Sequence, residues 1–357
     1  MALGSAGLGL GLLVAAAGPA TVAPSMRVHF LDIGQGAATL IELPCGAALV
    51  DTGGEQNDSF QSTPALLAYL DAFFARRTDL GGRLDVMLLT HPHIDHVRGA
   101  PDVLARFPVA TVIEDGRMAR QDDAVVAMAK VREFVATHPE VKHLVVNVDE
   151  FADATAAFES PDLDRFGPCK GVDPRVVALW GGMKRERSWG ENDYGASHWN
   201  NDNNHSVVTR WDFGEASVLI TGDLEEPGIR ELVGARHDLL DVDVYQVGHH
   251  GSHNGTTDDL LRAVSPAWAV MEIGPAARRH SWTAWAYGHP RQKLVDSLVA
   301  HVSGTRDPIT VPVATAVKTF SDMTLDRAIY ATAWDGTVVL EVGVDGNFRR
   351  VPPDIGR

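Results

Sequence analysis

The segment His-Pro-His-Ile-Asp-His at residues 91–96 constrains this chain more than any other feature. Its three imidazoles and one carboxylate are side chains that bind zinc, or manganese and iron where oxygen ligands dominate. A short, mostly apolar run precedes the segment, which predicts that it follows a β-strand. In such a tight loop, His91 and His93 are predicted to bind one ion, while Asp95 and His96 face a second. Packing alone does not account for so dense a cluster, so a two-metal site is the main hypothesis.

Two later segments supply further candidate ligands. Asp223 follows the hydrophobic run 217–220, where its carboxylate could bridge two cations. His249 and His250 follow a predicted strand at 243–247 and precede Gly-Ser. One of these two histidines is expected to bind the second ion and the other to touch the substrate, and the order of the pair stays open at this point.

The order of these motifs resembles the metallo-β-lactamase superfamily, and specifically the soluble C-terminal domain of ComEC-type competence proteins. Supporting segments are residues 30–36, 51–54, 204–208 and 287–290, and the resemblance runs from about 27 to 345. It implies an α/β fold, the αββα sandwich, with two metal ions at one edge of two packed sheets.

The resemblance also implies a division of the ligands between two ions. The first ion would be held by His91, His93 and Asp223. The second would be held by Asp95, His96, Asp223 and one histidine of the pair. His250 is favoured for this role because ligands of this kind often precede a glycine, which leaves His249 for the substrate.

The chain departs from the family pattern at two places. Ala37 stands after the Gly-Gln-Gly turn where many relatives carry an aspartate. The third histidine expected for the first ion is also missing, because the corresponding position is Asp202. Asp202 or the nearby His205 would have to substitute, as a ligand or as a substrate contact, and weak occupancy of the first metal site is the resulting hypothesis.

The predicted chemistry uses a water between two divalent ions, most simply Zn²⁺ with Mn²⁺ as the alternative. Such a water loses a proton near neutral pH and attacks the substrate. Asp95 would orient it, and His249 would donate a proton to the leaving group. Ligand histidines normally give their other ring nitrogen to a carboxylate, for which Asp51 is a candidate. His289 is predicted to contact the substrate, with a plain turn as the alternative.

The substrate class is less constrained than the site. The resemblance favours a phosphoester or phosphodiester, whereas the formal charge of -16 disfavours nucleic acid and would suit a lactone, thioester or β-lactam better. A degenerate domain that binds a ligand or partner without catalysis is a third hypothesis. Five tryptophans could wall a pocket, with a buried core position as the alternative for Trp180: Trp180, Trp189, Trp199, Trp282 and Trp285. The basic runs 184–187 and 278–280 are most simply solvated loops, but they would attract phosphate if they flank the metals.

The N-terminal segment bears on the cellular location of the protein. Residues 1–25 are apolar and small, with no lysine or arginine before Arg27, and read either as a secretory signal or as an over-long start with Met26 as the true initiator. The protein would then be exported or cytoplasmic, respectively. This stretch is too short and glycine-rich to span a membrane, so no integral membrane domain is predicted, and the oligomeric state stays open.

A single metallo-β-lactamase-like domain is expected over 26–345, with a loop-rich insertion at about 151–204 and a C-terminal tail at 346–357. The two cysteines, Cys45 and Cys169, are expected to be structural thiols, although an exported chain could join them. The strand predictions are 27–33, 37–43, 47–51, 84–90, 109–114, 144–148, 175–180, 206–213, 216–220, 243–247, 268–273 and 338–342, and the helix predictions are 63–77, 122–137, 227–232, 260–264 and 292–301.

Overall fold

The computed structural model describes Met1, residues 24–183 and residues 196–353. Most of the signal-like segment, the basic run 184–187 and Trp189 therefore lie outside the described residues. Within the described ranges, no helix combines the length and the apolar composition needed to cross a bilayer.

The first half of the chain forms strands that are followed by alternating helices and strands. Short 3₁₀ turns lie at Thr78–Leu80 and Val148–Glu150. The elements are, in order, β1 (Ser25–Phe30), β2 (Thr39–Leu43), β3 (Gly46–Val50), β4 (Gln56–Asn57), β5 (Phe60–Gln61), α1 (Ser62–Arg76), β6 (Leu84–Leu88), α2 (Ile94–Val97), α3 (Ala100–Arg106), β7 (Val109–Glu114), α4 (Asp122–Thr137) and β8 (Lys142–Val145).

The second half repeats the alternation and adds a long hairpin. Further 3₁₀ turns lie at Asp202–His205, His237–Leu239 and His249–Gly251. The elements are β9 (Arg175–Trp180), α5 (Ala196–Trp199), β10 (Val208–Phe213), β11 (Ala216–Ile220), α6 (Glu226–Arg236), β12 (Val244–Gln246), α7 (Asp258–Val264), β13 (Trp268–Met271), α8 (Ala284–Tyr287), α9 (Gln292–His301), β14 (Thr305–Ala316), β15 (Thr319–Arg327), β16 (Ile329–Ala331), α10 (Thr332–Asp335), β17 (Val338–Gly343) and β18 (Phe348–Val351).

Two mixed sheets organise these elements. One sheet has the order β18-β17-β1-β2-β3-β6-β7-β8, and the other has the order β16-β13-β12-β11-β10-β9. The neighbours β3, β6, β7 and β8 run parallel in the first sheet, as do β11, β12, β13 and β16 in the second. Side chains after these strands therefore collect at the carboxyl edges, where ligand sites form in α/β proteins.

The strands bury both of their faces, which builds a four-layer structure. In β2, for example, Ile41 packs into the core between the sheets, while the adjacent Leu40 packs into the core under α1, α3 and α4. On the far side, α6, α7 and α9 contribute Leu232, Leu261 and Leu298 to the core of the second sheet. The αββα sandwich expected from the sequence is confirmed.

The sequence predictions missed the short elements α2, α3, α5, α8, α10, β4, β5 and β16, and two larger differences lie near the C-terminus. β14 and β15 form an antiparallel hairpin where no strand was predicted, and β14 contains Pro308 and Pro312. A two-stranded ribbon leaves some strand N–H groups unpaired, so it tolerates proline. At the C-terminus, β18 pairs with β17, so residues 348–351 belong to the first sheet and not to a tail.

The cysteines also correct an expectation. Cys45 and Cys169 form a disulfide across 124 residues of sequence, with their Cα atoms 5.9 Å apart. The prediction of two structural thiols was wrong, because the loop-rich segment before β9 folds back onto the turn between β2 and β3. The bond ties that segment to the first sheet.

Candidate metal centre

Four strand ends bring the candidate ligands together. Asp51 follows β3, the 91–96 segment lies two residues beyond β6, Asp223 comes shortly after β11, and His249 and His250 come shortly after β12. β3 and β6 are neighbours in the first sheet, and β11 and β12 are neighbours in the second. The candidate site therefore lies where the carboxyl edges of both sheets meet.

Glycines allow the loops at this edge to approach one another closely. A Cβ atom on Gly54 would lie 2.2 Å from the Cα atom of Asp95, and one on Gly36 would lie 2.5 Å from its carbonyl oxygen. Gly36 also has a φ of +141°, which side chains rarely allow. The Gly-Gln-Gly and Asp-Thr-Gly-Gly segments thus support the loop that carries Asp95.

Four side chains form a compact group that could hold a metal ion. One ligand atom from each of Asp95, His96, Asp223 and His250 can be chosen so that all four lie within 4.8 Å of one another. Asp223 Oδ1 is 3.2 Å from His96 Nε2, and Asp223 Oδ2 is 3.4 Å from His250 Nε2. These four residues are the set that the sequence analysis assigned to the second ion.

Two unsatisfied nitrogens show that this donor set fits a cation. The Nε2 atoms of His96 and His250 are buried, and neither makes a hydrogen bond within the described part of the chain. A buried polar atom without a partner is costly and calls for an explanation such as an ion. Two imidazole nitrogens and two carboxylates are also a donor set that divalent zinc or manganese accepts.

The opposite ring nitrogen of each histidine is held in place. His96 Nδ1 donates to Asp51 Oδ2 at 2.7 Å, and His250 Nδ1 donates to the carbonyl oxygen of Glu272 at 2.8 Å. Asp51 Oδ1 in turn accepts from the backbone N–H of Thr90 at 2.7 Å. These bonds direct both Nε2 atoms into the group, and Asp51 makes the bond expected of a carboxylate beside a candidate ligand histidine.

His91 and His93 lie beside the group. Nε2 of His91 is 3.1 Å from Nδ1 of His93, and the rings of His91 and His96 are 4.2 Å apart. Nδ1 of His91 lies 3.1 Å from the Thr90 hydroxyl. The two histidines predicted for the first ion therefore meet, but within the described ranges they do not form a separate group of three metal-binding side chains.

The two carboxylates in the group are strongly acidic. Burial alone would raise the pKa of Asp223, but the neighbouring histidines His250 and His96 outweigh burial and hold that pKa well below its usual value. Asp95 has a lowered pKa for the same reason, with His250 as its main partner. Burial lowers the pKa of His91, and His96 and His93 add to this effect. The charged form of both carboxylates is thus favoured, which suits ligands of a cation.

A cavity of about 560 Å³ opens onto this group. Its described lining includes the predicted site residues His93, Asp95, Asp223, His249 and His250, together with the predicted substrate contact His289. The other lining residues are Gln35, Gly54, Glu55, Gln56, Ile94, Arg98, Gln121, Asp122, Asp123, Asn203, Ser281, Trp282 and Tyr287.

The structure does not bring Asp202 or His205 to the cavity. The Asp202 carboxylate accepts from Arg117 at 3.1 Å and lies 3.8 Å from Arg120. His205 Nε2 bonds to the carbonyl oxygen of Trp199 at 2.9 Å. The Asp202 carboxylate and His205 Nε2 are thus engaged by neighbours, and among the described residues neither Asp202 nor His205 belongs to the group of candidate metal ligands or lines the cavity.

His249 occupies a different position from His250, although both have left-handed backbones, with φ of 49° and 50°. His249 Nε2 is 3.8 Å from Asp223, and its Nδ1 is 3.2 Å from Asn254 Oδ1 and 3.5 Å from Glu225. It is partly exposed and lines the cavity, whereas His250 is buried in the group. This geometry favours His250 as the ligand and His249 as the substrate contact.

Several cavity residues escaped the sequence analysis. Gln35 and Asn203 line the cavity with buried amide oxygens, and Tyr287 stacks on His289 at 5.6 Å. Each lies inside or beside a motif already noted, at 34–36, 204–208 or 287–290. Nothing in the sequence distinguished them from ordinary loop residues.

The tryptophans and the basic runs divide between core and cavity. Trp180 is buried and donates to the carbonyl oxygen of Asn204 at 2.8 Å, whereas Trp282 lines the cavity. Arg278 pairs with Glu55 at 2.7 Å and lies over the Phe60 ring. The charge of Arg278 is therefore neutralised by a carboxylate of the cavity wall.

Comparison with known proteins agrees with this geometry. The family model of the metallo-beta-lactamase superfamily matches residues 31–270. The chain belongs to this superfamily. It is 26% identical over 291 residues to ComE operon protein 3 of Bacillus subtilis, covering 77% of this chain and 31% of that protein. It is 28% identical over 266 residues to Recombination protein 2 of Haemophilus influenzae, covering 74% of this chain and 26% of that protein.

The chain thus spans less than a third of the length of these two relatives. Among solved structures, the metallo-beta-lactamase fold protein YhfI of Bacillus subtilis aligns with 11% identity and a TM-score of 0.40, covering 78% of this chain and 94% of that one. The resemblance to competence proteins expected from the motifs is confirmed.

Proposed function

We propose that this protein is a metal-dependent hydrolase that cleaves phosphodiester bonds. The observation that carries the proposal is the group of Asp95, His96, Asp223 and His250, whose ligand atoms lie within 4.8 Å of one another at the floor of a cavity. The ground for choosing a phosphodiester over other bonds is what the resemblance of the motifs to ComEC-type proteins implies.

The residues of the group would hold one divalent ion, and His91 and His93 would contribute to a second. Bound zinc or manganese would act as a Lewis acid on the phosphoryl oxygen and lower the pKa of a water molecule. Asp51 and the carbonyl of Glu272 keep the ligand histidines in one orientation, which limits rearrangement during the reaction.

His249 would donate a proton to the leaving group. Its Nδ1 faces Asn254 and Glu225, while its Nε2 lies 3.8 Å from Asp223 at the cavity surface. An imidazole held in this way can donate a proton to an alkoxide that leaves. Asp95, which is only partly buried, would orient the attacking water from the other side.

The charge of the cavity wall favours a short substrate. Asp122 and Asp123 stand at its lining, and Arg98 is already bonded to the carbonyl of Gly54 and to Gln56 at 2.7 Å each, and to Asp123 at 3.2 Å. Long polyanions would be repelled by this wall. The same wall also suits a neutral ester such as a lactone, which is the second candidate substrate.

Hydrolysis of bis-p-nitrophenyl phosphate by the purified chain, loaded with zinc or manganese, tests the proposal. Asp223→Asn should lower kcat/KM on the order of a thousandfold, because several kcal/mol of metal-dependent stabilisation are lost. Asp238→Asn is the matched control, since the Asp238 side chain is fully exposed, and it should leave the rate unchanged. Circular dichroism would show that both variants fold.

The alternatives give different results. Turnover of a lactone or a chromogenic cephalosporin without turnover of any phosphodiester would replace the proposal with the second candidate. Tight metal binding without turnover of any substrate would indicate a binding module. Asp223→Asn protein with full phosphodiesterase activity would contradict the assignment of the site.

A further inference from the structure

A row of aromatic rings leads from the protein surface to the metal centre. The rings of Trp282 and Tyr287 lie 6.3 Å apart, those of Tyr287 and His289 lie 5.6 Å apart, and those of His289 and His249 lie 6.0 Å apart. His249 then neighbours His250, with ring centroids separated by 6.4 Å. One wall of the cavity therefore presents ring surfaces and edges along its length.

Trp282 is the unusual member of this row. Its residue is 66% exposed, and its φ is +62°, a left-handed conformation that bulky residues seldom adopt. The nearby Trp285 is instead covered by the Lys318 ammonium at 5.0 Å. A large apolar ring held open to solvent in an unfavourable backbone conformation is typical of a functional position.

Three residues of the cavity lining carry buried polar atoms that lack a hydrogen-bond partner among the described residues. Gln35 Oε1, Asn203 Oδ1 and His289 Nδ1 are buried, and none has a hydrogen-bond partner in the described portion of the protein. All three residues line the cavity. Buried polar atoms without a protein partner call for water, an ion or another group to satisfy them. Together with the rings, they suit a ligand that carries both a flat ring and hydrogen-bonding atoms.

We propose that Trp282 stacks on the nucleobase of a short nucleoside phosphodiester whose phosphate lies at the group containing Asp95 and Asp223. This inference rests on the proposed phosphodiesterase function and adds the substrate class. Aromatic side chains stack on any base, because every base has a π-face. The acidic residues Asp122 and Asp123 at the lining limit the length of the strand that can follow.

Two esters with the same leaving group isolate the contribution of the base. The metal-loaded chain would be assayed with thymidine 5′-(p-nitrophenyl phosphate) and with methyl p-nitrophenyl phosphate. Trp282→Ala should lower the ratio of kcat/KM for the thymidine ester to kcat/KM for the methyl ester about tenfold, because the stacking contact with the base is lost. The change should come from a higher KM for the thymidine ester. Trp282→Phe keeps an aromatic ring and should retain most of the ratio.

The matched control is Val126→Ala. Val126 is another exposed apolar residue, at 55%, and it does not line the cavity. The Val126→Ala variant should have the same ratio of kcat/KM for the two esters as the wild type. A Trp282→Ala ratio equal to the wild-type ratio, or a loss that Trp282→Phe shares in full, would overturn the stacking role.

A binding measurement separates this inference from the proposed function. Isothermal titration calorimetry would give the Kd of thymidine 5′-monophosphate for the metal-loaded wild type and for Trp282→Ala, with about a tenfold increase expected in the variant. If neither ester is hydrolysed but this shift is seen, the phosphodiesterase proposal fails and the stacking role stands. If both esters are hydrolysed and Kd does not change, the stacking role fails and the phosphodiesterase proposal stands.

Discussion

Removal of the Cys45–Cys169 disulfide is expected to destabilise the whole domain, because it closes a loop of 124 residues. Restricting so long a loop in the unfolded chain corresponds to about 5 kcal/mol by the loop-closure relation. Leu163, in the segment that the bond holds down, is fully buried in the core that includes the second sheet, so releasing this segment would expose core surface. The expected loss in unfolding free energy is therefore about 4–5 kcal/mol.

Urea unfolding followed by tryptophan fluorescence measures this loss. The comparison is between the oxidised wild type and Cys45→Ser/Cys169→Ala, where alanine avoids placing a hydroxyl at the buried position 169. Reduction of the wild type by dithiothreitol should reproduce the shift, because Cys45 is exposed to the reductant. The double variant itself should not respond to dithiothreitol, which provides the control.

Two results would refute this reasoning. A double variant that unfolds within about 1 kcal/mol of the oxidised protein would show that loop closure does not govern the stability. A wild type that is unaffected by dithiothreitol, although mass spectrometry shows it to be reduced, would lead to the same conclusion. Because disulfides persist in oxidising compartments, the bond favours the exported alternative over the cytoplasmic one.

Three further predictions concern the site and its support. Asp51→Ala should weaken zinc binding about 10–100-fold in a chelator competition assay while the chain stays folded, because His96 loses its carboxylate partner. Metal analysis after dialysis should find one tightly bound ion per chain and a second that is easily lost, since His91 and His93 have no third partner among the described residues; two tightly bound ions would contradict this. Glu42→Gln should cost about 3 kcal/mol in urea unfolding at pH 7, because the carboxylate is buried against Arg76 and Arg77.

The Glu42→Gln prediction has a definite pH dependence. Burial would raise the pKa of Glu42, but hydrogen bonds from His29 and Arg76 outweigh it and place that pKa well below its usual 4.5. A carboxyl whose pKa is lower in the folded state stabilises the fold fully above its unfolded pKa and loses that effect in acid. The difference in unfolding free energy between the wild type and Glu42→Gln should therefore shrink as the pH falls below 4.5. A gap that stays constant down to pH ~3 would contradict this account.

The sequence alone indicated a metal-binding site and most of the secondary structure, and the resemblance of its motifs to a known family supplied the order of the layers. Imidazoles and carboxylates packed into 91–96 cannot be read as core, and the helix and strand periods along the chain predicted most of the elements, with ends that differ from the observed ones by a few residues. These signals are local, since they depend on neighbours within a few positions. Asp223 and the His249-His250 pair were found for the same reason, because each stands close after an apolar run.

The tertiary structure decided what depends on distant partners. His249 and His250 have the same residue type and nearly the same φ, and the carbonyl of Glu272 at the end of the next strand is what fixes the His250 ring in the metal group. Asp202 looked like a substitute ligand by position, but it pairs with Arg117 from the other half of the chain. The Cys45–Cys169 bond likewise depends on a segment folding back over 124 residues. Such contacts form only when the two sheets pack together, and no short stretch of sequence encodes them.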